Sequence, residues 1–331
     1  MKRYQHMPRI AALGGGTGLS TMLRGLKSRT KNITAIVTVT DDGGGSGVLR
    51  RELGMLPPGD IRNCILALAN AEPVMQKALG YRFTEGSLAG QNLGNLMLAA
   101  LNDLSGSFDG AVAALSQVLA ITGRVLPVTN EDLILQAAFD DGAIVRGETH
   151  ITDYKIRTDA LIRRMSLDPA RPNPLPAVLE AIKKADMIVL GPGSLYTSVI
   201  PNLLTDGVAQ AVRDARAVKV YVMNIMTQNG ETERYTAADH VQALLDHGGR
   251  GLFDYVLINE LPVDEAVLEA YRKEGVAPVS VDDGTALRAL DVEPVWAPLA
   301  AWEDGLVRHD PTALADALMG LYHEKAETKT Y

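Results

Sequence analysis

The stretch Ile10-Ala11-Ala12-Leu13-Gly14-Gly15-Gly16-Thr17-Gly18-Leu19 decides the fold. A short apolar run reads as a buried strand, the glycines as a tight turn, and Leu19, Met22, Leu23 and Leu26 as one face of a helix. Such a turn leaves backbone N–H groups free at a helix N-terminus, where the aligned peptide dipoles favour negative charge. Glycine also lets the backbone adopt positive φ and approach a ligand closely. The chemistry this predicts is phosphate binding, with a nucleotide as its carrier. The spacing departs from two better-known loops. Position 19 is Leu where the dinucleotide fingerprint has glycine, and no Gly-Lys-Ser/Thr ending supplies the P-loop lysine. A strand–helix turn without a ligand is the competing reading.

Working outward, Ile33 to Val39 reads as a second buried strand that runs into the glycine loop Thr40-Asp41-Asp42-Gly43-Gly44-Gly45-Ser46-Gly47. Pro57-Pro58-Gly59 stops the chain, and Asp60 is suited to cap a helix from Ile61 to about Ala71. Helices are expected over 91–104 and 111–121. Residues 125–128, 143–145 and 149–151 read as short strands of an antiparallel insertion within about 123–176, and the prolines at 169, 172, 174 and 176 mark its end. Alternation then resumes. Strands are expected at 187–190, 219–223 and 256–258, and helices at 237–247, 263–273 and 313–322, with a frayed polar tail at 324–331. The pattern predicts an α/β fold: one Rossmann-like domain spanning 1–331, with a mostly parallel sheet, helices on both faces and a small inserted region.

Composition narrows the class. A chain of 331 residues with a net charge of −8 is poorly suited to general nucleic-acid binding. The single cysteine, Cys64, excludes an internal disulfide and sits among Ile61, Ile65 and Leu68 as a buried thiol would. No run reaches membrane-span length and the first residues lack a signal-peptide core, so a cytoplasmic protein is expected.

In an open parallel sheet the strand C-termini share one edge, where ligands bind. Four polar loops follow predicted strands and are expected to line one crevice there. They offer Gly15, Gly16, Thr17 and Gly18; Thr40, Asp41, Asp42 and Gly43; Gly191, Gly193, Ser194, Tyr196 and Thr197; and Asn224, Thr227 and Gln228, with Asp60 and Asn63 alongside. Asp41 and Asp42 are candidate Mg²⁺ ligands, since Mg²⁺ is held by one or two carboxylates plus phosphate oxygens; no other cofactor is called for. Their adjacency in extended backbone sends the side chains apart, and capping of turns is the plainer role for both. No catalytic triad or zinc-ligand spacing is visible among the six histidines, so no catalytic residue is assigned.

Several of these motifs together are specific. Gly14 to Ser20, Thr34 to Val39, Asp41-Asp42-Gly43-Gly44, Pro58-Gly59-Asp60-Ile61-Arg62-Asn63, Gly191 to Ser198, Asn202-Leu203-Leu204 and Met226 to Thr232 resemble the gluconeogenesis factors (the YvcK/GlmR family) of the CofD-like superfamily, over about residues 8–310. The resemblance implies a cytoplasmic regulator linking carbon metabolism to cell-wall (peptidoglycan) precursor supply and cell shape. It implies UDP-N-acetylglucosamine as ligand and glucosamine-6-phosphate synthase as a partner. It also places sugar-nucleotide contacts on Tyr271, which would stack on uracil, and Arg308, which would pair with the diphosphate. The alternative is a Mg²⁺-dependent transferase like the 2-phospholactate transferases of the superfamily. Against it, the first glycine turn lacks the lysine expected there, and Leu93-Gly94-Asn95-Leu96 carries asparagine where the transferases have an acidic residue. Gln91-Asn92 also replaces a histidine-containing pair common in the closer family. A nicotinamide dehydrogenase is a third reading, disfavoured by the incomplete fingerprint. Exposed apolar helix faces would permit a homodimer.

Overall fold

A computed structural model describes residues 7–303 and 305–328 of the chain. The strands are β1 (Ile10–Gly14), β2 (Ile33–Val37), β3 (Arg124–Pro127), β4 (Ile134–Phe139), β5 (Ile144–Arg146), β6 (Ile162–Asp168), β7 (Met187–Leu190), β8 (Val218–Val222), β9 (Tyr255–Asn259), β10 (Glu293–Ala297), β11 (Ala300–Glu303) and β12 (Leu306–His309). Seven of them form one sheet in the order β10-β9-β8-β7-β1-β2-β3, and every pair is parallel. The central strands β1 and β7 are buried along their whole length. That is why they read as unbroken apolar runs: both faces of a parallel sheet are covered by helices.

The helices fall into two sets. Gly16–Leu26 packs on Gly59–Leu68 and on the C-terminal helix Pro311–Thr328. Pro176–Lys184, Ile200–Leu204, Val208–Asp214 and Ala237–Gly248 pack against one another. Right-handed crossovers on either side of a reversal in strand order place two such sets on opposite faces. The helix Gly16–Leu26 buries Leu19, Met22, Leu23 and Leu26 completely, at the spacing that puts them on one stripe. Local signals end and begin the elements: Asn92 accepts from Gly94 and Asn95 N–H, Ser107 accepts from Gly110 N–H, and Thr236 with Asp239 forms a reciprocal capping box. Cys64 is buried, and burial pushes its thiol pKa up, which keeps it unreactive.

Three expectations are corrected. Residues 125–128 do not belong to the insertion: β3 pairs in parallel with β2 at the edge of the main sheet. The insertion is the antiparallel sheet β5-β4-β6 with the helix Glu148–Thr158, so residues 149–151 are helical, not extended. The C-terminal helix runs on to Thr328, so 324–328 is helix where fraying is expected; 329–331 lies outside the described residues. None of the described helices is long and apolar enough to cross a membrane.

Candidate functional site

Strand order reverses between β1 and β7, and a crevice opens at the C-terminal ends of these two strands. The loops that leave them meet backbone to backbone. A Cβ on Gly18 would lie 2.6 Å from the carbonyl oxygen of Pro192, so only glycine lets the two loops close on each other. Gly16 opens its helix at φ +64°, a left-handed conformation that suits glycine. That helix has neither a side-chain cap nor an acidic residue in its first turn; the Gly16 N–H turns to the Asp60 carboxylate beneath it, while Thr17 and Gly18 line the crevice.

The residues expected to bind ligand divide into two groups. Thr17, Gly16 and Gly18 from the first turn, Gly193 and Ser194 from the loop after β7, and Asn224, Thr227 and Gln228 from the turn after β8 line a single cleft of about 390 Å³. Tyr271 and Arg308 complete it from the other side, with Val307 and His309. Polar side chains fix the shape of this cleft. Asn224 both accepts from Gly193 N–H (3.1 Å) and donates to Gly193 C=O (2.8 Å), and Ser194 donates to Gln228 (2.8 Å). Thr227 Oγ1 accepts from Ala277 N–H at 3.0 Å. Val307 N–H donates to the Tyr271 hydroxyl at 2.8 Å, which ties the helix Glu265–Arg272 to the hairpin β11–β12. Nε2 of His309 donates to Met223 C=O at 3.1 Å, and burial pushes the imidazole pKa down to about 4, so the ring is neutral. Arg308 has no hydrogen-bond or ion-pair partner among the described residues.

The second group stands apart from the cleft. Thr40, Asp42 and Gly43 line a separate depression of about 730 Å³ between the second glycine loop and the insertion. Asp41 and Asp42 diverge as their adjacency predicts. Asp41 accepts from Gly43 N–H (2.9 Å), whereas Asp42 reaches across to Thr149, accepting from its N–H (3.0 Å) and its hydroxyl (2.7 Å). Asp42 thereby caps the insertion's helix from outside it, and the two carboxylates do not converge on one cation. Among the described residues no group of three or more His, Cys, Asp or Glu could hold a metal ion. Asn63 accepts from Arg62 (2.7 Å), Tyr196 shares a hydrogen bond with Tyr235 (2.8 Å), and Thr197 donates to the buried Glu231 (2.8 Å). Gly191 underlies the loop at φ +73°. Four loops were expected to share one crevice; three do, because the second glycine loop turns towards the insertion.

Asp60 is also corrected. Pro58 occupies the N-cap position of the helix Gly59–Leu68, and Asp60 lies in its first turn. Its carboxylate packs beneath the first glycine turn, where a Cβ on Gly15 would approach within 2.5 Å. Burial, with Asp41 adding repulsion, pushes its pKa up to about 6. Glu148 is raised by burial and by Asp41, Asp60, Glu231 and Asp42 in turn. Glu231 is fully buried, and burial pushes it up to about 7 although Thr197 and Tyr196 donate to it. Sequence reasoning placed Glu231 in a polar turn and did not single it out. Glu148 and His309 were also missed, and only the position of His309 beside Arg308 on a short strand could have pointed to it; Asn202, quoted in a motif without a role, donates Nδ2 to Gly14 and Ser198 C=O.

Comparison with known proteins shows the family. The family model described as 2-phospho-L-lactate transferase CofD matches residues 10–300. A putative gluconeogenesis factor of Thermoanaerobacterium thermosulfurigenes is 50% identical over 97% of this chain and 99% of its own. The chain belongs to the gluconeogenesis factor family. Within that family, the gluconeogenesis factor of Bacillus subtilis is 45% identical over 96% of this chain and 99% of its own length. A crystal structure of a Bacillus halodurans protein superposes with a TM-score of 0.91 at 45% identity, covering 95% of this chain and all of that one (100%). The family and its Rossmann-like fold are therefore those that the glycine motifs imply.

Proposed function

We propose that the cleft at the strand-order reversal is a sugar-nucleotide site and that the protein is a regulator that binds its ligand without turning it over. The observation that carries this reading is convergence. Tyr271 and Arg308, distant in sequence from the glycine turns, share one cleft with them. An aromatic face suits a nucleobase, an unpaired guanidinium and helix N-terminal N–H groups suit a diphosphate, and amide and hydroxyl groups suit a sugar. A volume of about 390 Å³ falls within the usual range of small-molecule sites. UDP-N-acetylglucosamine has all three parts. The reading without turnover rests on where the cleft's hydroxyls go: Ser194 donates to Gln228, Thr227 accepts from a backbone N–H, and the carboxylate beside Ser194, Glu231, is already engaged by the Thr197 hydroxyl and the Tyr196 N–H. A regulatory link to cell-wall precursor supply, with glucosamine-6-phosphate synthase as partner, follows from the family resemblance.

Calorimetric titration with UDP-N-acetylglucosamine, with and without Mg²⁺, tests the reading. The expected result is saturable binding with the ligand recovered unchanged, weakened by Tyr271→Ala and by Arg308→Ala. No binding, or binding indifferent to both substitutions, overturns it.

One observation favours a second reading, a Mg²⁺-dependent transferase. Asp41 faces Asp60 and disfavours its ionisation, and both disfavour that of Glu148, a repulsion that a divalent cation would relieve. Asp41 with Asp60 suits such an ion better than Asp41 with Asp42. Product formed from a guanylylated donor, and lost in Asp41→Ala, would replace the regulator by the enzyme.

A further inference from the structure

Glu231 sits where the loop after β7 meets the turn after β8. It is 1% exposed. One carboxylate oxygen accepts from the Thr197 hydroxyl at 2.8 Å and the other from Tyr196 backbone N–H at 3.2 Å. Its own turn is compact: Glu231 and Thr232 N–H both donate to Gln228 C=O, and Gln228 N–H donates to the Thr232 hydroxyl (3.0 Å). Gln228 and Ser194 bond each other inside the cleft. The carboxylate also engages the Ser194 hydroxyl, and it therefore joins two of the three loops that form the cleft from behind, without itself lining it. No ion pair reaches it among the described residues. The titratable groups that face it are Tyr196 on the loop, Tyr221 on β8, Glu233 on its own turn and Glu148 on the insertion's helix; Lys155 is turned to Glu233 instead, at 3.3 Å.

We propose that Glu231 is a positioning residue of the cleft: its ionised carboxylate holds the Gly191–Ser198 loop in the conformation that presents Gly193 and Ser194 to the ligand, and its protonation releases that loop. The regulation so described rests on the sugar-nucleotide reading, whereas the lock itself does not. The coupling follows from reciprocity. Donors on the loop favour the ionised carboxylate, so the ionised carboxylate must favour the docked loop by the same factor. Burial places this titration near neutral pH, at about 7. The sign for global stability is opposite to that for the lock. A carboxyl whose folded pKa lies above its unfolded value contributes stability below the unfolded value, and that contribution is lost as pH rises through the folded one. The protein thus holds an ionised, destabilising carboxylate under its binding loop at the pH where the loop is ordered, a trade of stability for position that functional sites often show.

Amide hydrogen exchange of residues 191–199 in the ligand-free protein, corrected for intrinsic rates, measures the lock without any ligand. Between about pH 8 and about pH 6 protection is expected to fall roughly tenfold in the wild type and to be low and independent of pH in Glu231→Gln. Thr197→Val, which removes one donor and keeps the carboxylate, is expected to shift the midpoint upward; a merely structural Glu231 would not move it. Wild-type affinity for UDP-N-acetylglucosamine should follow the same midpoint, and Glu231→Gln should bind roughly tenfold more weakly at the higher pH while melting no lower there. Protection unchanged by pH and by Glu231→Gln overturns the proposal. Protection that changes as stated, in a wild type that fails to bind the sugar nucleotide, overturns the sugar-nucleotide reading and leaves the lock standing.

Discussion

The two walls of the cleft are built differently. One consists of strand-end loops set directly on the main core: Leu13, Leu190 and Val222, at the ends of β1, β7 and β8, are almost wholly buried beneath them. The other consists of the helix Glu265–Arg272 and the hairpin β11–β12. These rest on a small separate cluster in which Ile225, Ala300 and Val307 are buried and Val263, Val267 and Tyr271 only partly so. Asn259 anchors the hairpin by accepting from Leu299 and Ala300 N–H, both at 3.0 Å. The first wall is stiff because moving it would disturb the sheet; the second can open at a cost set by a handful of contacts. A stiff wall of backbone N–H groups is generic for phosphate, while side chains on an adjustable wall choose which phosphate-bearing ligand stays. Recognition of the anion and discrimination among its carriers are thus divided between two structures of unequal stability.

The largest expected effect lies on the stiff wall. Gly18→Ala sets a methyl 2.6 Å from the Pro192 carbonyl oxygen, which is backbone and cannot swing away. Prying the two loops apart should cost about 1–3 kcal/mol of stability and displace both sets of phosphate donors together. Binding should weaken about a hundredfold or more, and the melting temperature should fall. Unchanged binding would mean that the ligand does not sit between these loops. Next comes Arg308→Ala on the adjustable wall. A charge-assisted bond to phosphate contributes about 1.5–3 kcal/mol, so affinity for the sugar nucleotide should fall about ten- to a hundredfold. Because the Arg308 side chain has no partner among the described residues, thermal stability should not change; that split between binding and stability separates the second wall from the first.

Legibility followed the same division. The stiff wall could be read because its causes are local: unbroken apolar strands, glycines at the turns and a helical stripe at 19, 22, 23 and 26. The adjustable wall could not. Nothing near Tyr271 or Arg308 distinguishes them from a residue of an amphipathic helix and a surface arginine, and only the family resemblance brought them to the site. The insertion failed for another physical reason. Thr149-His150-Ile151 has β-branched residues and reads as a strand, yet Gly147 at φ +92° starts a helix there and Asp42, 107 residues away, caps it. A tertiary cap overrides a local propensity. The alternation over Ile134–Phe139, with Leu135, Ala137 and Phe139 buried, was there to be read as a half-buried strand. Asp60 and Glu231 are different again: a sequence shows that a carboxylate is present but not that the fold closes over it.

Tyr271 tests how the adjustable wall divides its work. Its ring lines the cleft while its hydroxyl receives Val307 N–H. Tyr271→Phe keeps the ring and removes the acceptor, leaving a part-buried N–H unsatisfied at a cost of about 1 kcal/mol. Tyr271→Ala removes both. If the ring stacks on a base, affinity should drop about tenfold or more in the alanine variant, from a contact of about 1–3 kcal/mol, and only a few-fold in the phenylalanine variant. Equal losses would assign the residue to holding the hairpin and not to contacting ligand.

The smallest effect on binding is expected at Asp42, and it sharpens the comparison by standing outside it. Both bonds from Thr149 end on the same Asp42 oxygen, Oδ1, and the side chain lines the depression beside the insertion, not the cleft. Asp42→Ala removes a cap supplied from a distant part of the chain, so the helix Glu148–Thr158 should lose about 1 kcal/mol and exchange its first amides faster. The sugar nucleotide should bind as before, with or without Mg²⁺, since neither wall depends on this carboxylate. Asp41→Ala is the informative partner, because Asp41 faces Asp60 beneath the first glycine turn, where loss of one charge should bring the Asp60 carboxyl back towards its ordinary range. Should Asp42→Ala abolish a Mg²⁺-dependent step in binding, the second glycine loop must swing from the insertion into the cleft when ligand arrives, and the division between a stiff and an adjustable wall would have to be drawn through that loop.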